Sequence, residues 1–425
     1  MTPMQFENIS IFKLISGEIL GFHNENLEVA NLSAELWNSL SLGQSGEELI
    51  ELKDWSDSAN LNAKSLKIEQ KTRTITINST QLCNLKCIYC AAGGDGTYGE
   101  PIVKLDLKQG LPQLEWLMSK MTPGETFQIN FLGGEPLLYP NVIRDVASMA
   151  LQFSKQFKIL VRFSVVTNGT RLIENDVIEL LQDFKMAVTV SLDGPPELQD
   201  RFRPSVNGQR SSIDLEKGLK RLLLIKSYLP SIGLAAVFHK DHVGVLETYR
   251  YFLNWDVDFY ELNFSHIENN REASLAFSQG MNEVADFAIT RGGEEELRKI
   301  RIFNGFFDRL DEQLKLENFC GAGKSLLSMD AKGGLYPCPW DINDRNLKLN
   351  SKIGLSEDKL IQFQSPQIDK NLCRTCWAKY LCGGGCSYIH KNSTGSSQKI
   401  DPIFCERTQS LILTALMYYE KYRRN

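Results

Sequence analysis

The β-branched run Arg73-Thr-Ile-Thr-Ile-Asn78 and, directly after it, Gln81-Leu-Cys83-Asn-Leu-Lys-Cys87-Ile-Tyr-Cys90 decide the fold of this chain. The first stretch reads as a strand, and the second puts three cysteines, spaced CxxxCxxC, on the loop that leaves it. Outward toward the C-terminus, strand-like runs recur at 127–131, 159–166, 186–192, 232–238 and 259–264. Helix-length segments at 111–121, 142–157, 172–184, 213–228, 245–253 and 274–314 alternate with them. Strands that are each followed by a helix predict parallel pairing through crossovers, hence an α/β barrel or a doubly wound sheet. In both, the chemistry gathers at the C-terminal strand ends, where Cys83, Cys87 and Cys90 fall.

Toward the N-terminus, apolar runs at 9–15 and 27–32 and a helix-like segment at 33–40 behind a Ser33 cap predict a small α+β unit over residues 1–50. Residues 51–70 are polar and patternless, which predicts a linker. The α/β array then spans 71–317. Residues 318–425 hold seven of the ten cysteines and predict a separate, metal-filled domain. The long 274–314 segment, with Glu294-Glu-Glu296 and scattered basic residues, reads as a solvated helical connection.

At 425 residues the chain has length for roughly two or three domains. Its 42% hydrophobic and 23% charged content is that of a folded globular protein. A net charge of -5 supplies no broad basic field for a nucleic-acid backbone, so no nucleic-acid partner is expected. The N-terminus lacks a basic n-region and an apolar h-region, and no run of about 18 apolar residues occurs; a cytoplasmic protein without a membrane partner is expected. In that reducing compartment, cysteine spacing is read for metal ligation rather than for disulfides.

Three thiolates hold three irons of a [4Fe–4S] cubane and leave the fourth iron open, whereas structural zinc takes four protein ligands. CxxxCxxC with an aromatic before the last cysteine resembles the signature of the radical S-adenosylmethionine (SAM) enzymes. The resemblance implies a partial (β/α)6 TIM-like barrel in which Cys83, Cys87 and Cys90 hold the cluster. Its open iron chelates SAM, and cleavage of SAM yields a 5′-deoxyadenosyl radical that abstracts a substrate hydrogen. It further implies that Gly133-Gly134-Glu135-Pro136, at the end of the second strand, is the family's GGEP motif, with Glu135 accepting from the SAM ammonium. Thr167-Asn168-Gly169 and Ser191-Leu192-Asp193-Gly194-Pro195 resemble the ribose- and carboxylate-facing strand ends, which assigns Asn168, Ser191 and Asp193 to SAM. Arg203 would pair with the SAM carboxylate.

The order Cys320, Gly333, Cys338, Cys373-x2-Cys376-x5-Cys382-x3-Cys386 and Cys405 is similar to the SPASM domain, which binds two auxiliary Fe–S clusters, expected as [4Fe–4S]. Carried over, Cys373, Cys376, Cys382 and Cys405 hold the distal cluster. Cys320, Cys338 and Cys386 go to the proximal one, which lacks a fourth cysteine; Asp330, Asp341, His390, an exogenous ligand or the substrate are candidates for that place. Gly321-Ala-Gly323-Lys324-Ser325 mimics the tail of a phosphate-binding loop, but Asn318 stands where its first glycine belongs and no strand is expected before it. Gly93-Gly94-Asp95-Gly96 is no dinucleotide fingerprint and is expected to wrap close to the first cluster. His23, His239, His242, His266 and His390 form no catalytic pattern.

The resemblance is to the subclass that modifies peptides or proteins. In formylglycine-forming members an aspartate directly follows the cysteine matching Cys338; here Pro339 and Trp340 follow and Asp341 comes third, which disfavours sulfatase maturation. An open proximal-cluster position permits a substrate thiolate, so the expected reaction is a cysteine thioether cross-link in a ribosomal precursor peptide. Carbon–carbon cross-linking, maturation of a sulfatase-like or dehydrogenase subunit, and a non-enzymatic zinc-stabilised binding protein are the alternatives. A flavodoxin or ferredoxin reductant is implied, and residues 1–50 are a candidate element for receiving the precursor's leader as an added strand.

Overall fold

The computed structural model describes residues 3–44, 47–58, 63–66, 68–91, 98, 100–342 and 344–423; the segment Gly93–Gly96 singled out above lies outside them. The chain forms two compact units: Met1–Lys67 with Ser274–Phe319 and Pro366–Asn425, and Ile68–Ala273 with Cys320–Ser365. No helix among the described residues is long and apolar enough to cross a membrane.

In the first unit a meander of β1 (Met4–Phe6), β2 (Ile9–Lys13), β3 (Ile19–His23) and β4 (Glu28–Leu32) precedes helices Ala34–Leu42 and Glu47–Asp57. Ser33 caps the first helix as expected, its hydroxyl accepting from Leu36 N at 2.9 Å. The second helix was not expected and begins before the stretch read as a linker. Its charged face hides a thin apolar stripe in which Leu52 joins Ile9, Ile11, Ile19 and Leu36 in one core. The end of that stretch forms β5 (Lys64–Leu66), which pairs in parallel with a strand 250 positions away in the chain, described below.

The second unit is built on β6 (Thr74–Thr80), β7 (Thr126–Gly133), β8 (Leu160–Thr167), β9 (Ala187–Ser191), β10 (Ile232–Phe238) and β11 (Phe259–Phe264), all parallel and each paired with the next. Strand order following chain order without reversal is the winding of a barrel, not of a doubly wound sheet. β6 and β11 do not pair, so this six-stranded barrel is open. Period-2 alternation divides the strands: Phe127, Ile129 and Phe131 of β7 are fully buried on one face, while Gln128, Asn130 and Leu132 occupy the other. The apolar face is covered by helices, Pro140–Phe157 among them, whose Ile143, Val146, Ala147 and Ala150 are buried.

Later strands return to both units. β12 (Leu314–Leu316) is the partner of β5, with Leu316 opposite Leu66. β13 (Leu326–Met329) extends the barrel sheet beside β6, with Met329 opposite Ile77, and β14 (Leu335–Tyr336) closes an antiparallel turn on it. The phosphate-loop mimic therefore does follow a short strand, contrary to expectation, but it runs into β13 rather than into the helix N-terminus that binds phosphate. The 274–314 segment is also not one solvated helix. Gly292 and Gly293 interrupt Arg271–Arg298, and the helix Arg301–Asp311 buries Phe303, Phe306, Phe307 and Leu310.

Candidate active site

At the C-terminal ends of the barrel strands lies a cavity of about 340 Å³. Cys83, Cys87 and Cys90 line one part of it, with Gly133, Gly134, Glu135, Asn168, Ser191 and Arg203 around them; Tyr98, Glu261, Asn263, His266 and Trp340 line the rest. The sequence therefore placed its cysteine triplet and most of its SAM candidates on one surface. Pro136 and Asp193 are not on it. Pro136 starts a short 3-10 turn, Pro136–Leu138, behind the strand end.

The cysteine loop is held from three sides. Lys86 N donates to Pro204 O at 2.7 Å and Ile88 N to Phe202 O at 3.1 Å. Asn168 Nδ2 donates to Asn84 Oδ1 at 2.8 Å. Gly134 N donates to Thr80 O and Glu135 N to Leu82 O, so the GGEP backbone is tucked under the loop. A Cβ on Gly134 would lie 2.0 Å from Leu82 O, and one on Gly133, whose φ is +134°, 2.1 Å from Thr80 O. These glycines thus serve close approach to the cysteine loop itself. Gly134→Ala is expected to displace that loop: anaerobic reconstitution should leave about one cluster fewer per chain, while Gly17→Ala, at an open turn, should keep full iron content.

Glu135 is fully buried and already engaged. Its Oε1 accepts from Thr167 Oγ1 at 2.7 Å and Leu137 N at 3.0 Å, and its Oε2 from Asn168 N at 2.7 Å. It locks the ends of β7 and β8 together and keeps acceptor capacity toward the cavity. Burial pushes its carboxyl up to about 7, against the pull of those three donors.

Asp193 and Arg203, both assigned to SAM from the sequence, are partners of each other. Arg203 Nε and Nη2 reach the Asp193 carboxylate at 3.0 and 3.1 Å in a bidentate pair, and both residues are buried. Asp193 also accepts from Tyr89 Oη and from Val237 N, which fully occupies it as the support of Arg203. Burial opposes the charge on Arg203, but Asp193 overrides it and holds the guanidinium well above its ordinary value. Tyr89, the aromatic before Cys90, lies 5.3 Å under Arg203 as a cation–π partner. The result is one fixed positive group facing the cavity beside the cysteines.

Burial, reinforced by Glu135, pushes the Cys83 thiol up to about 12, and burial pushes Cys87 up to about 11 although Arg203 pulls it down. As free thiols they stay protonated at neutral pH, so loading iron must release their protons. No three His, Cys, Asp or Glu among the described residues gather tightly enough for a single metal ion. Three thiols lining one cavity wall are a donor set suited to a larger, polynuclear cluster with one open position.

Of the later cysteines, Cys320 and Cys338 belong to the second unit and Cys373, Cys376, Cys382, Cys386 and Cys405 to the first. Burial raises the thiols of Cys320, Cys373, Cys382 and Cys405. Two of the three side chains considered for the vacant ligand position are otherwise committed. His390 Nε2 bonds Gly384 O at 3.2 Å and its Nδ1 accepts from Asp401 N at 3.2 Å. Asp330 accepts from Lys332 N and Gly334 N in the β13–β14 turn. Asp341 lies beside Cys320. Sequence reasoning missed His266, Trp340, Glu261 and Asn263 as cavity residues; the His266 ring lies 5.1 Å from that of Trp340, tilted by 38°. Only the barrel's β11 position would have marked Glu261 and Asn263.

Residues 77–227 match the family model described as the radical SAM superfamily. A cysteine-type anaerobic sulfatase-maturating enzyme of Clostridium novyi (strain NT) is 24% identical over 375 residues, covering 80% of this chain and 94% of that protein. The fold is similar to that of native anSMEcpe with bound AdoMet and Kp18Cys peptide, at TM-score 0.67 and 19% identity over 83% of this chain and 99% of that one. It is also similar to that of Streptococcus suis SuiB bound to precursor peptide SuiA, at TM-score 0.55 and 16% identity over 95% and 99%. With the triplet, the strand-end glycines and the open barrel in place, residues 77–227 of this chain form a radical SAM domain and the protein is an enzyme, its fold similar to those of anSMEcpe and SuiB.

Proposed function

We propose that the enzyme matures a ribosomally made precursor peptide, and that the bond it forms is a cysteine thioether. The observation that carries this reading is the single cavity that joins the cysteine triplet to a second region of Glu261, Asn263, His266 and Trp340, leaving a place for a side chain beside the SAM site. A cluster on Cys83, Cys87 and Cys90 supplies, when bound, the electron that cleaves SAM to the hydrogen-abstracting radical. The chain's own residues do the positioning. Arg203, fixed by Asp193 and Tyr89, presents a charge that pairs with the SAM carboxylate; Glu135 and Ser191 offer acceptors; Trp340, Tyr98 and His266 wall the cavity against water. Cys320 and Cys338, both in the second unit, offer thiolates for an auxiliary cluster, on which an open place would suit a substrate thiolate.

The β1 edge, three residues long, is a poor template for an added leader strand, and the C-terminal helix Pro402–Arg423 lies against β4 at the other edge. Leader capture by residues 1–50 therefore has less support than the cross-linking chemistry. The Clostridium novyi relative favours a second reading, maturation of a protein cysteine.

Incubation without oxygen with SAM, reduced flavodoxin and the peptide encoded beside the gene distinguishes these. Thioether formation predicts 5′-deoxyadenosine together with a peptide lighter by a pair of hydrogens whose cysteine no longer reacts with iodoacetamide. A lighter peptide with a reactive cysteine indicates carbon–carbon linkage, and no 5′-deoxyadenosine contradicts the proposal. Cys376→Ala is expected to keep SAM cleavage but lose at least about nine-tenths of product, because only a later cluster is removed.

A further inference from the structure

Lys370 is 8% exposed, yet its Nζ has no hydrogen-bond partner among the described residues. Buried ammonium groups without an acceptor are rare because desolvation is not repaid. Burial pulls its ammonium below the ordinary lysine value, and the groups that act in the opposite sense through space are Cys373, Cys386, Cys382 and Cys405. Its backbone is tied to the same segment, with Lys370 O accepting from Cys373 N at 2.8 Å.

Other donors and cations lie at Cys376, Cys382 and Cys405. Gly383, Gly384 and Gly385 have φ of +70°, +86° and +77°, and this left-handed run turns the N–H groups of Gly384 and Gly385 onto Cys382. Gln409 Nε2 donates to Cys376 Sγ at 3.4 Å. Arg309, bonded to Leu381 O, lies near Cys382, and Arg407 near Cys405; Asp401 acts on Cys405 in the opposite sense. Cys373, Cys376, Cys382 and Cys405 are thus surrounded mainly by cations and N–H donors.

We infer that Lys370 is the charge-compensating residue of the cluster held by Cys373, Cys376, Cys382 and Cys405, donating from Nζ to its sulfur and raising its reduction potential. The inference rests on reading those four cysteines as ligands of one cluster. Four thiolates make such a cluster anionic, and reduction adds a further negative charge. A fixed positive charge in a buried setting stabilises the reduced form more than the oxidised one. Lys370 therefore acts as a positioning residue, making this cluster the easier electron acceptor.

The test compares wild type, Lys370→Gln and Lys370→Arg, reconstituted without oxygen, by iron content and by redox titration followed by electron paramagnetic resonance. Lys370→Gln is expected to hold the same iron, but the reduced-to-oxidised ratio at a given solution potential falls about tenfold, ~59 mV for one electron. Lys370→Arg, which keeps the charge, should stay within about twofold of wild type, under ~20 mV by the same constant. Wild type labelled with 15N at lysine Nζ should show a nitrogen coupling to the reduced cluster that Lys370→Arg lacks, a readout that stands even where Lys370→Gln fails to load. A loaded Lys370→Gln with unmoved potential, or no lysine coupling in wild type, would overturn the inference and leave the cluster assignment intact. Wild type carrying only the triplet cluster would overturn both.

Discussion

Cys87→Ala protein reconstituted without oxygen is expected to hold about eight irons per chain where wild type holds about twelve, and to make no detectable 5′-deoxyadenosine. Cys87 lines the cavity beside Arg203, and its loop is braced by Phe202 and Pro204. Two remaining thiolates leave two cubane irons without protein ligands, so the site loses its cluster rather than weakening it. Cys373, Cys376, Cys382 and Cys405 lie in the other compact unit and should load normally. The expected phenotype is therefore selective: absorbance and iron fall by about a third, the melting temperature changes little, and SAM cleavage disappears. Undiminished 5′-deoxyadenosine from this variant would remove the triplet from the chemistry.

Asp193→Ala is expected to cost about 3–5 kcal/mol of stability, because it strands the buried Arg203 guanidinium without its bidentate acceptor. Tyr89 Oη and Val237 N lose their acceptor in the same step. Replacing both partners, as in Asp193→Leu with Arg203→Met, removes the charge together with its partner and should cost less than Asp193→Ala alone. Urea unfolding of wild type, Asp193→Ala and the double variant reads the difference. SAM binding separates stability from function, since the double variant recovers the fold without the cation that faces the cavity. A double variant binding SAM as wild type does would show that Arg203 makes no contact with it.

The barrel was legible because its strands carry dense apolar and β-branched runs. The expected 232–238 and 259–264 coincide with β10 and β11, Ile232–Phe238 and Phe259–Phe264. The N-terminal meander was only half legible. β1 is three residues long, and Gly21 interrupts the pattern of β3. Helix Glu47–Asp57 passed for a linker because Leu52 alone among its large apolar residues is buried.

At the site, the residue types were readable but not their pairing. Asp193 and Arg203 stand ten positions apart on opposite sides of the helix Pro196–Phe202, and only the folded backbone turns them onto each other. Glu135 likewise owes its three donors to β8 and to its own turn. Lys370 is one lysine among many in the sequence, and its meaning lies in burial that no spacing encodes.

The measurement that tests the central claim most directly is iron, acid-labile sulfide and zinc per chain on protein purified and reconstituted without oxygen. The account predicts about twelve irons with matching sulfide, three [4Fe–4S] clusters on the ten cysteines. Two or three zinc ions per chain, roughly, with little iron and persisting through reconstitution, would contradict it and leave a metal-stabilised protein without radical chemistry.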